Sequence, residues 1–306
     1  MSVSCRVSIG MPAYNRAPTL ARAIESVLGQ TLTDLELIIS DNASTDDTEA
    51  ICRRYAEADS RIRYTRHRGP IGGFPNFRFV LDAARAPYFM WLPPDDYALP
   101  RLLERAVAVL DARADVACCV PQIEFLGDDG RRWPAEGTFP LVGTLTENLH
   151  RFLYDPRDNS RFYGLYRREV LCRILPPSGY HAFDWTVSVG TLLAGKHWEL
   201  DEVLLVREAS DPTRYTRMID LSFDNRLARL VPLLPFTRAV LFGLRVPPRP
   251  STLARLFRLN LVYHVMYCQY RYPRYGQLAY NVAANVERAM GTLWRGLRGA
   301  RGPRPA

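Results

Sequence analysis

Two adjacent aspartates, Asp95 and Asp96, follow an unbroken apolar run, Y-F-M-W-L at residues 88–92, and a pair of prolines. Neighbouring carboxylates repel unless a positive charge is shared, and a hard divalent cation held by one or two carboxylates plus substrate phosphates meets that need. The apolar run suits a strand buried on both faces of a parallel sheet, and ligands of open α/β sheets bind in the crevice outside the carboxyl ends of such strands. The pair therefore predicts a metal and diphosphate site. The competing role is that of turn or helix-capping acids, although Pro100, the expected first helical residue, puts the cap position nearer Leu99.

Further polar groups stand where other strands are expected to end. Residues 5–10 alternate as a first strand and run into the Pro and Asn loop M-P-A-Y-N-R. Leu20, Ile24, Val27 and Leu28 recur at helical spacing, so residues 18–30 form a crossover helix. Residues 35–40 are a second strand carrying Asp41 at its end, followed by a helix near residues 48–56. A third strand spans residues 61–65, a helix carries Phe77, Val80 and Leu81, and the strand at 88–92 presents the aspartates. This β-α-β-α-β-α-β order with right-handed crossovers specifies an α/β fold with a doubly wound, mostly parallel mixed sheet.

A helix at residues 100–112 and a strand at 116–125 complete the first half. A turn-rich connector at 127–137 leads to a helix at 145–154, an aromatic strand R-F-Y-G-L-Y at 161–166, and a loop P-P-S-G-Y-H-A-F that delivers Asp184 and Trp185 to the start of a helix ending near residue 194. A strand at 197–206 closes the sheet. Tyr163, Tyr166, Tyr180 and Trp185 suit either a ligand-stacking platform or core packing. His67, His150, His181, His197 and His264 lack metal spacing, and only His181, beside Asp184, is a candidate for an acceptor pocket.

The chain has 306 residues, 47% of them apolar, enough for a sizeable core. Its six cysteines form no C-x-x-C pair and no zinc spacing, which reads as reduced core thiols in a cytoplasmic setting. No signal peptide is expected at the N-terminus, and arginines interrupt every apolar stretch long enough to span a bilayer. The net charge of +8 is unevenly placed: residues 226–306 hold 14 arginines and a single acid, so the rest of the chain is net acidic.

The ordered set V-S-I-G-M-P-A-Y-N-R, Q-T-L-T-D-L-E-L-I-I-S-D-N-A-S-T-D-D-T, G-G-F-P-N-F, Y-F-M-W-L-P-P-D-D and F-D-W-T-V-S-V-G-T-L-L-A-G-K resembles the family 2 glycosyltransferases of A-type fold over residues 3–210. The resemblance implies that Pro12, Tyr14 and Asn15 lie against the nucleotide, with Asn76 also at the donor site. By the same carry-over Asp41 bonds the base, Asp95 approaches ribose or donor sugar, and Asp96 ligates Mn2+ or Mg2+. Asp184 matches the catalytic base, and Arg207 a basic residue that reaches diphosphate or acceptor. The implied reaction is inverting transfer of one sugar from a nucleotide sugar, UDP-linked, to a hydroxyl acceptor such as a lipid-linked glycan or other cell-surface polysaccharide precursor. Processive relatives carry Q-x-x-R-W and membrane spans, and neither occurs here. Pro94 stands where many relatives have a third acid, which leaves the metal affinity open.

Taken singly, Asp41 also reads as a strand-end turn acid and Asp184 as a helix cap. Two other functions compete: a nucleotidyltransferase, disfavoured because no Gly-rich, lysine-bearing phosphate loop follows the first strand, and a non-enzymatic protein binding nucleic acid or membrane through the basic tail. The acidic front and the lack of a nucleic-acid module argue against nucleic acid as a partner. Residues 1–216 are expected to form the catalytic domain, with 1–126 its nucleotide-sugar half and 127–216 its acceptor half. Residues 217–306 would be a basic, amphipathic helical extension. There Leu253, Leu256, Phe257, Leu261, Val265 and Tyr267 among arginines suit either peripheral docking on an anionic inner membrane face or packing on the catalytic domain.

Overall fold

The computed structural model describes residues 5–209 and 231–271. The elements run β1 (Val7–Ala13), α1 (Ala17–Leu28), β2 (Leu35–Asp41), α2 (Thr48–Ala58), β3 (Ile62–Arg66), α3 (Gly73–Asp82), β4 (Tyr88–Trp91), β5 (Tyr97–Ala98), α4 (Leu102–Ala112) and β6 (Val116–Leu126). After β7 (Arg132–Pro134) come α5 (Leu145–Tyr154), a 3-10 turn (Ser160–Tyr163), β8 (Leu165–Arg167), α6 (Arg168–Ile174), α7 (Phe183–Ala194) and β9 (Lys196–Glu208). Beyond residue 230 lie α8 (Leu234–Arg238), a π-helical turn (Ala239–Gly243) and α9 (Pro250–Arg271).

One mixed sheet has the order β3-β2-β1-β4-β8-β6-β9-β5, with β7 on β6. Every residue of β1, β2 and β4 is buried, as expected of strands covered on both faces. The β1–β2, β1–β4, β2–β3 and β6–β9 pairs are parallel. The expected sheet is therefore present, but the second half enters it through an antiparallel strand: β8 is inserted between β4 and β6.

Three boundaries differ from expectation for local reasons. β1 runs on through Met11–Ala13 and includes Pro12. The last β1–β4 pair is Gly10 with Trp91, so Pro12 lies beyond the shared ladder on that side and its missing N–H costs no bond there. The aromatic run expected as a strand at 161–166 is split into the 3-10 turn and the short β8. β9 extends to Glu208 and takes Arg207 into the sheet, and its end pairs with β5, Tyr97 against Val206.

The helices beyond residue 230 pack on α5 and α7. Leu233, Phe236, Val240, Val246, Leu256 and Leu259 share a core with Leu149, Phe152, Trp185 and Val189 of α5 and α7. At about 1.5–3 kcal/mol for each fully buried side chain, these six contribute on the order of 10 kcal/mol of gross burial. Arg249 donates to Thr146 Oγ1, Arg255 to the His150 carbonyl and Arg258 to the Tyr154 carbonyl. The Tyr154 carbonyl ends α5, where the helix dipole favours cations, and the His150 carbonyl lies one turn before it. Val265 faces inward and Leu253 and Phe257 outward. The side chain of Tyr267, Cys268, residues 210–230 and the tail from residue 272, including the expected domain boundary at 216, lie outside the described residues.

Cys52, Cys118 and Cys119 are buried free thiols, as expected, whereas Cys172 is exposed. His197, at the start of β9, is buried. Burial and the nearby Arg161 hold its imidazole neutral, well below the usual range.

Candidate active site

One wall of the site is formed where β1 and β2 end. Asn15 has a left-handed backbone (φ 50°), a conformation Asn tolerates. Its backbone N–H donates to Ser44 Oγ at 2.9 Å, and its Oδ1 accepts from the Thr45 N–H at 2.8 Å. The Arg16 N–H donates to Thr48 Oγ1, and the Ala17 N–H to Asp46 Oδ2. These bonds lock the two loops together and leave Tyr14 49% exposed beside them.

Asp41 and Asn76 lie behind this wall rather than on it. Asp41 is 0% exposed. Its Oδ1 accepts from the Ser44 N–H at 2.9 Å, while its Oδ2 accepts from the Tyr64 hydroxyl at 3.0 Å and lies 3.5 Å from Arg66 Nε. Asn76 is likewise buried and spends its amide on the strand ends. It accepts from Ser40 Oγ at 2.5 Å and donates to the Ser40 carbonyl at 3.0 Å and to the Ala13 carbonyl at 3.4 Å. Pro12 is buried within β1 opposite Ser40.

The two adjacent aspartates have unlike surroundings. Asp96 is 2% exposed, and both its oxygens are taken: Oδ2 by Arg207 Nε at 3.0 Å and Oδ1 by the Glu208 N–H at 3.0 Å. The β5–β9 pairing causes this, because it sets Asp96 beside Arg207. Burial pushes the Asp96 carboxyl up to about 6 against the pull of Arg207. Asp95 is only partly buried, and its nearest cation is Arg16, with Nε 3.5 Å away. Its carboxylate accepts no hydrogen bond among the described residues, so it is the member of the pair with oxygens to offer.

Arg207 is the hub. It also donates to Ser160 Oγ at 3.3 Å, and its guanidinium sits 4.0 Å from the Tyr163 ring centroid. Next to Ser160, Asn159 donates from Nδ2 to Asp184 Oδ2 at 2.7 Å. The aspartate turn and Asp184 are thus joined through Arg207 and the 3-10 turn, and Arg207's charge acts on Asp184. Asp184 is in the first turn of α7, not at its cap, which is Ala182 in a left-handed conformation. The loop before it leans on α3: a Cβ at Gly179 would lie 2.4 Å from the Phe74 Cβ, so only glycine permits this approach. Burial raises the Asp184 carboxyl, while the Asn159 hydrogen bond opposes the rise.

The aromatic candidates divide. Tyr166 and Trp185 are core residues. Tyr163 lies under Arg207, and the Tyr180 hydroxyl donates to Thr186 Oγ1 at 2.7 Å. His181 is partly buried with its ring 5.8 Å from that of Tyr263, and burial lowers it to about 4.

These residues suit a substrate-borne divalent cation. Such ions take oxygen ligands, often one or two carboxylates with the rest from substrate phosphates and water. Asp95 supplies a carboxylate of that kind, and among the described residues no three His, Cys, Asp or Glu side chains cluster as a closed protein cage.

The family model Glycosyl transferase family 2 matches residues 8–175, more than half of the chain. Campylobacter jejuni GalNAc(5)-diNAcBac-PP-undecaprenol beta-1,3-glucosyltransferase is 33% identical over 114 residues, covering 36% of this chain and 35% of that protein. The chain spans two fifths or less of the first curated relatives it matches. S. aureus TarS in complex with UDP-GlcNAc superposes with a TM-score of 0.58 at 18% identity, covering 93% of this chain and 92% of that structure. The mannosyltransferase PcManGT from Pyrobaculum calidifontis, in complex with GDP-Man and Mn2+, gives 0.55 at 18% identity over 97% and 81%. At such identities the superpositions establish a common fold.

Proposed function

The chain belongs to glycosyl transferase family 2, and from that membership we propose that it moves one sugar, with inversion, from a UDP-linked donor to an acceptor hydroxyl. The observation that carries this reading is the chain of contacts from Asp96 through Arg207 and the 3-10 turn to Asp184. It supports the reading by joining Asp184, the proposed acceptor-side carboxylate, to the aspartate pair proposed for the donor side.

Asp95 is the carboxylate offered to Mn2+ or Mg2+, while Asp96, held by Arg207, fixes the turn that presents it. This reverses the roles expected of the two from the sequence. A bound divalent cation supplies Lewis-acid stabilisation of charge on the leaving diphosphate. Pro12, Tyr14 and Asn15 form the nucleotide-side wall, and Asp41 and Asn76 brace it from behind.

Asp184 takes the acceptor hydroxyl's proton on Oδ1, the oxygen not engaged by Asn159. The acceptor oxygen bonds the anomeric carbon as that carbon's bond to the diphosphate oxygen breaks on the opposite face, so the configuration inverts. One carboxylate suffices for the single proton.

The relative named for an undecaprenol-linked glycan supports a lipid-linked acceptor, a cell-surface polysaccharide precursor. Exposed Phe242, Leu253 and Phe257, with exposed Arg238, Arg245 and Arg249, support contact with an anionic bilayer surface. Among the described residues no helix is long and apolar enough to cross a membrane.

Thermal shift with UDP and GDP, each with and without Mn2+, followed by donor hydrolysis across UDP- and GDP-linked sugars, tests the donor. UDP with Mn2+ should raise the melting temperature and Asp95→Ala should remove the metal-dependent part. No response to either nucleotide sinks the proposal. Equal sedimentation of wild type and the Phe242→Ser, Phe257→Ser double variant with anionic liposomes removes the membrane contact.

A further inference from the structure

We infer that Asn159 is a positioning residue that fixes the orientation and charge state of Asp184, an inference that rests on Asp184 being the base. Asn159 is 1% exposed and has a left-handed backbone (φ 48°, ψ 33°), which Asn and Gly tolerate best. Its amide clamps two residues of α7 at once. Nδ2 donates to Asp184 Oδ2 at 2.7 Å, and Oδ1 accepts from Ser188 Oγ at 3.0 Å. Residues four apart share a helix face, so a single short side chain reaches both. The clamp also decides which way the amide points, because a carboxylate can only accept and the amide NH2 can only donate.

The backbone behind Asn159 is braced on its other side. The Asp158 carboxylate accepts from the N–H groups of Glu136 at 2.8 Å, Gly137 at 3.1 Å and Ser160 at 2.8 Å. A Cβ at Gly137 would lie 2.3–2.8 Å from Asp158 Oδ1 and the nitrogens of Asn159 and Ser160, so position 137 requires glycine. The turn cannot retreat from α7 without breaking these bonds.

Two consequences follow for Asp184. Oδ2 is occupied, so Oδ1 is the oxygen left for an incoming hydroxyl. A hydrogen bond donated to the ionised carboxylate also favours that form, countering the burial that raises its pKa. The other groups acting on it are the backbone N–H groups of Trp185 and Asp184 and the charge of Arg207 of β9, all of which favour the anion, and Tyr163, Tyr166 and Tyr180, whose hydroxyls burial keeps protonated.

The test reads Asp184 directly in the full chain labelled with 13C at the aspartate carboxyl carbons, its signal identified by its loss in Asp184→Asn. Asn159→Gly keeps the left-handed backbone and removes the amide; Asn159→Asp keeps the shape and replaces the donor by an acid. Asn159→Gly should raise the apparent pKa of Asp184 by about one unit, and Asn159→Asp by more, with the UDP and Mn2+ thermal shift unchanged. Ser188→Ala, which frees the amide to rotate, should shift it in the same direction by less and serves if the Asn159 variants fail to fold. A titration that coincides with wild type in a folded variant overturns the inference. Turnover with the identified donor separates this from the parent reading: if Asp184→Asn still transfers sugar, the base assignment fails whatever the titration shows. If Asp184→Asn is inactive while Asn159→Gly titrates and turns over like wild type, only the role of Asn159 fails.

Discussion

The two walls of the proposed site are held in different ways. On the proposed donor side, Asn15, Asp41 and Asn76 bond to backbone groups and hydroxyls at the ends of neighbouring parallel strands. On the proposed acceptor side, Asp184, Arg207 and Ser160 are held by side chain to side chain bonds between segments far apart in the chain. The first wall is therefore fixed by the ends of parallel strands. The second depends on a few charged contacts, so its failure should be abrupt and traceable to single residues.

Replacing Arg207 by Met leaves the buried Asp96 carboxylate without its cation, and urea unfolding should show a loss of about 3–5 kcal/mol. The double variant Arg207→Met, Asp96→Asn should recover much of this; additive losses would place Arg207 outside the proposed network. Asp184→Asn should cut transfer by about 10²–10⁴-fold while nucleotide binding, read by calorimetry, stays intact. Loss of both would mean that the walls are not separable.

Because burial raises the Asp184 carboxyl, turnover should be full above that raised pKa and fall as pH drops through it, since the base must be ionised. A pH–rate profile still flat well below neutrality would contradict that role. On the donor wall Asn76→Ala should cost about 1–3 kcal/mol by orphaning the Ser40 and Ala13 groups, with nucleotide affinity following stability. The smallest effect is expected at the outer face of α9, where Leu253→Ser should change stability by no more than about 0.5 kcal/mol.

The same contrast explains what could be read in advance. The parallel half was legible because its strands, alternating at β1 and a continuous apolar run at β4, are separated by helices of regular spacing, and because the aspartates stand in order at the strand ends. Even there the unlike surroundings of Asp95 and Asp96 could not be read: adjacent acids look alike until β5 pairs with β9 and sets Asp96 on Arg207, and a two-residue strand leaves no periodic signal. Residues 161–166 looked like a strand because a buried aromatic run fits either a strand or a tight helical turn. Asn159 had no signal linking it to Asp184, since a hydrogen bond across 25 positions leaves no local pattern. In α9 apolar residues occupy both faces, so the pattern could not tell Leu256, which is buried, from Phe257, which is exposed.

β9 pairs with β6 along its length and with β5 at its end. A ribosome that has released the chain as far as β6 has delivered both aspartates and the loops at the ends of β1 and β2, but not the arginine to which one of those acids bonds. Until residue 207 emerges, the turn carrying the pair has no partner strand and Asp96 must stay in water. The aspartate turn, synthesised early, is thus among the last parts of the sheet to be completed, and a chain truncated before residue 207 would bring an uncompensated charge to its own core.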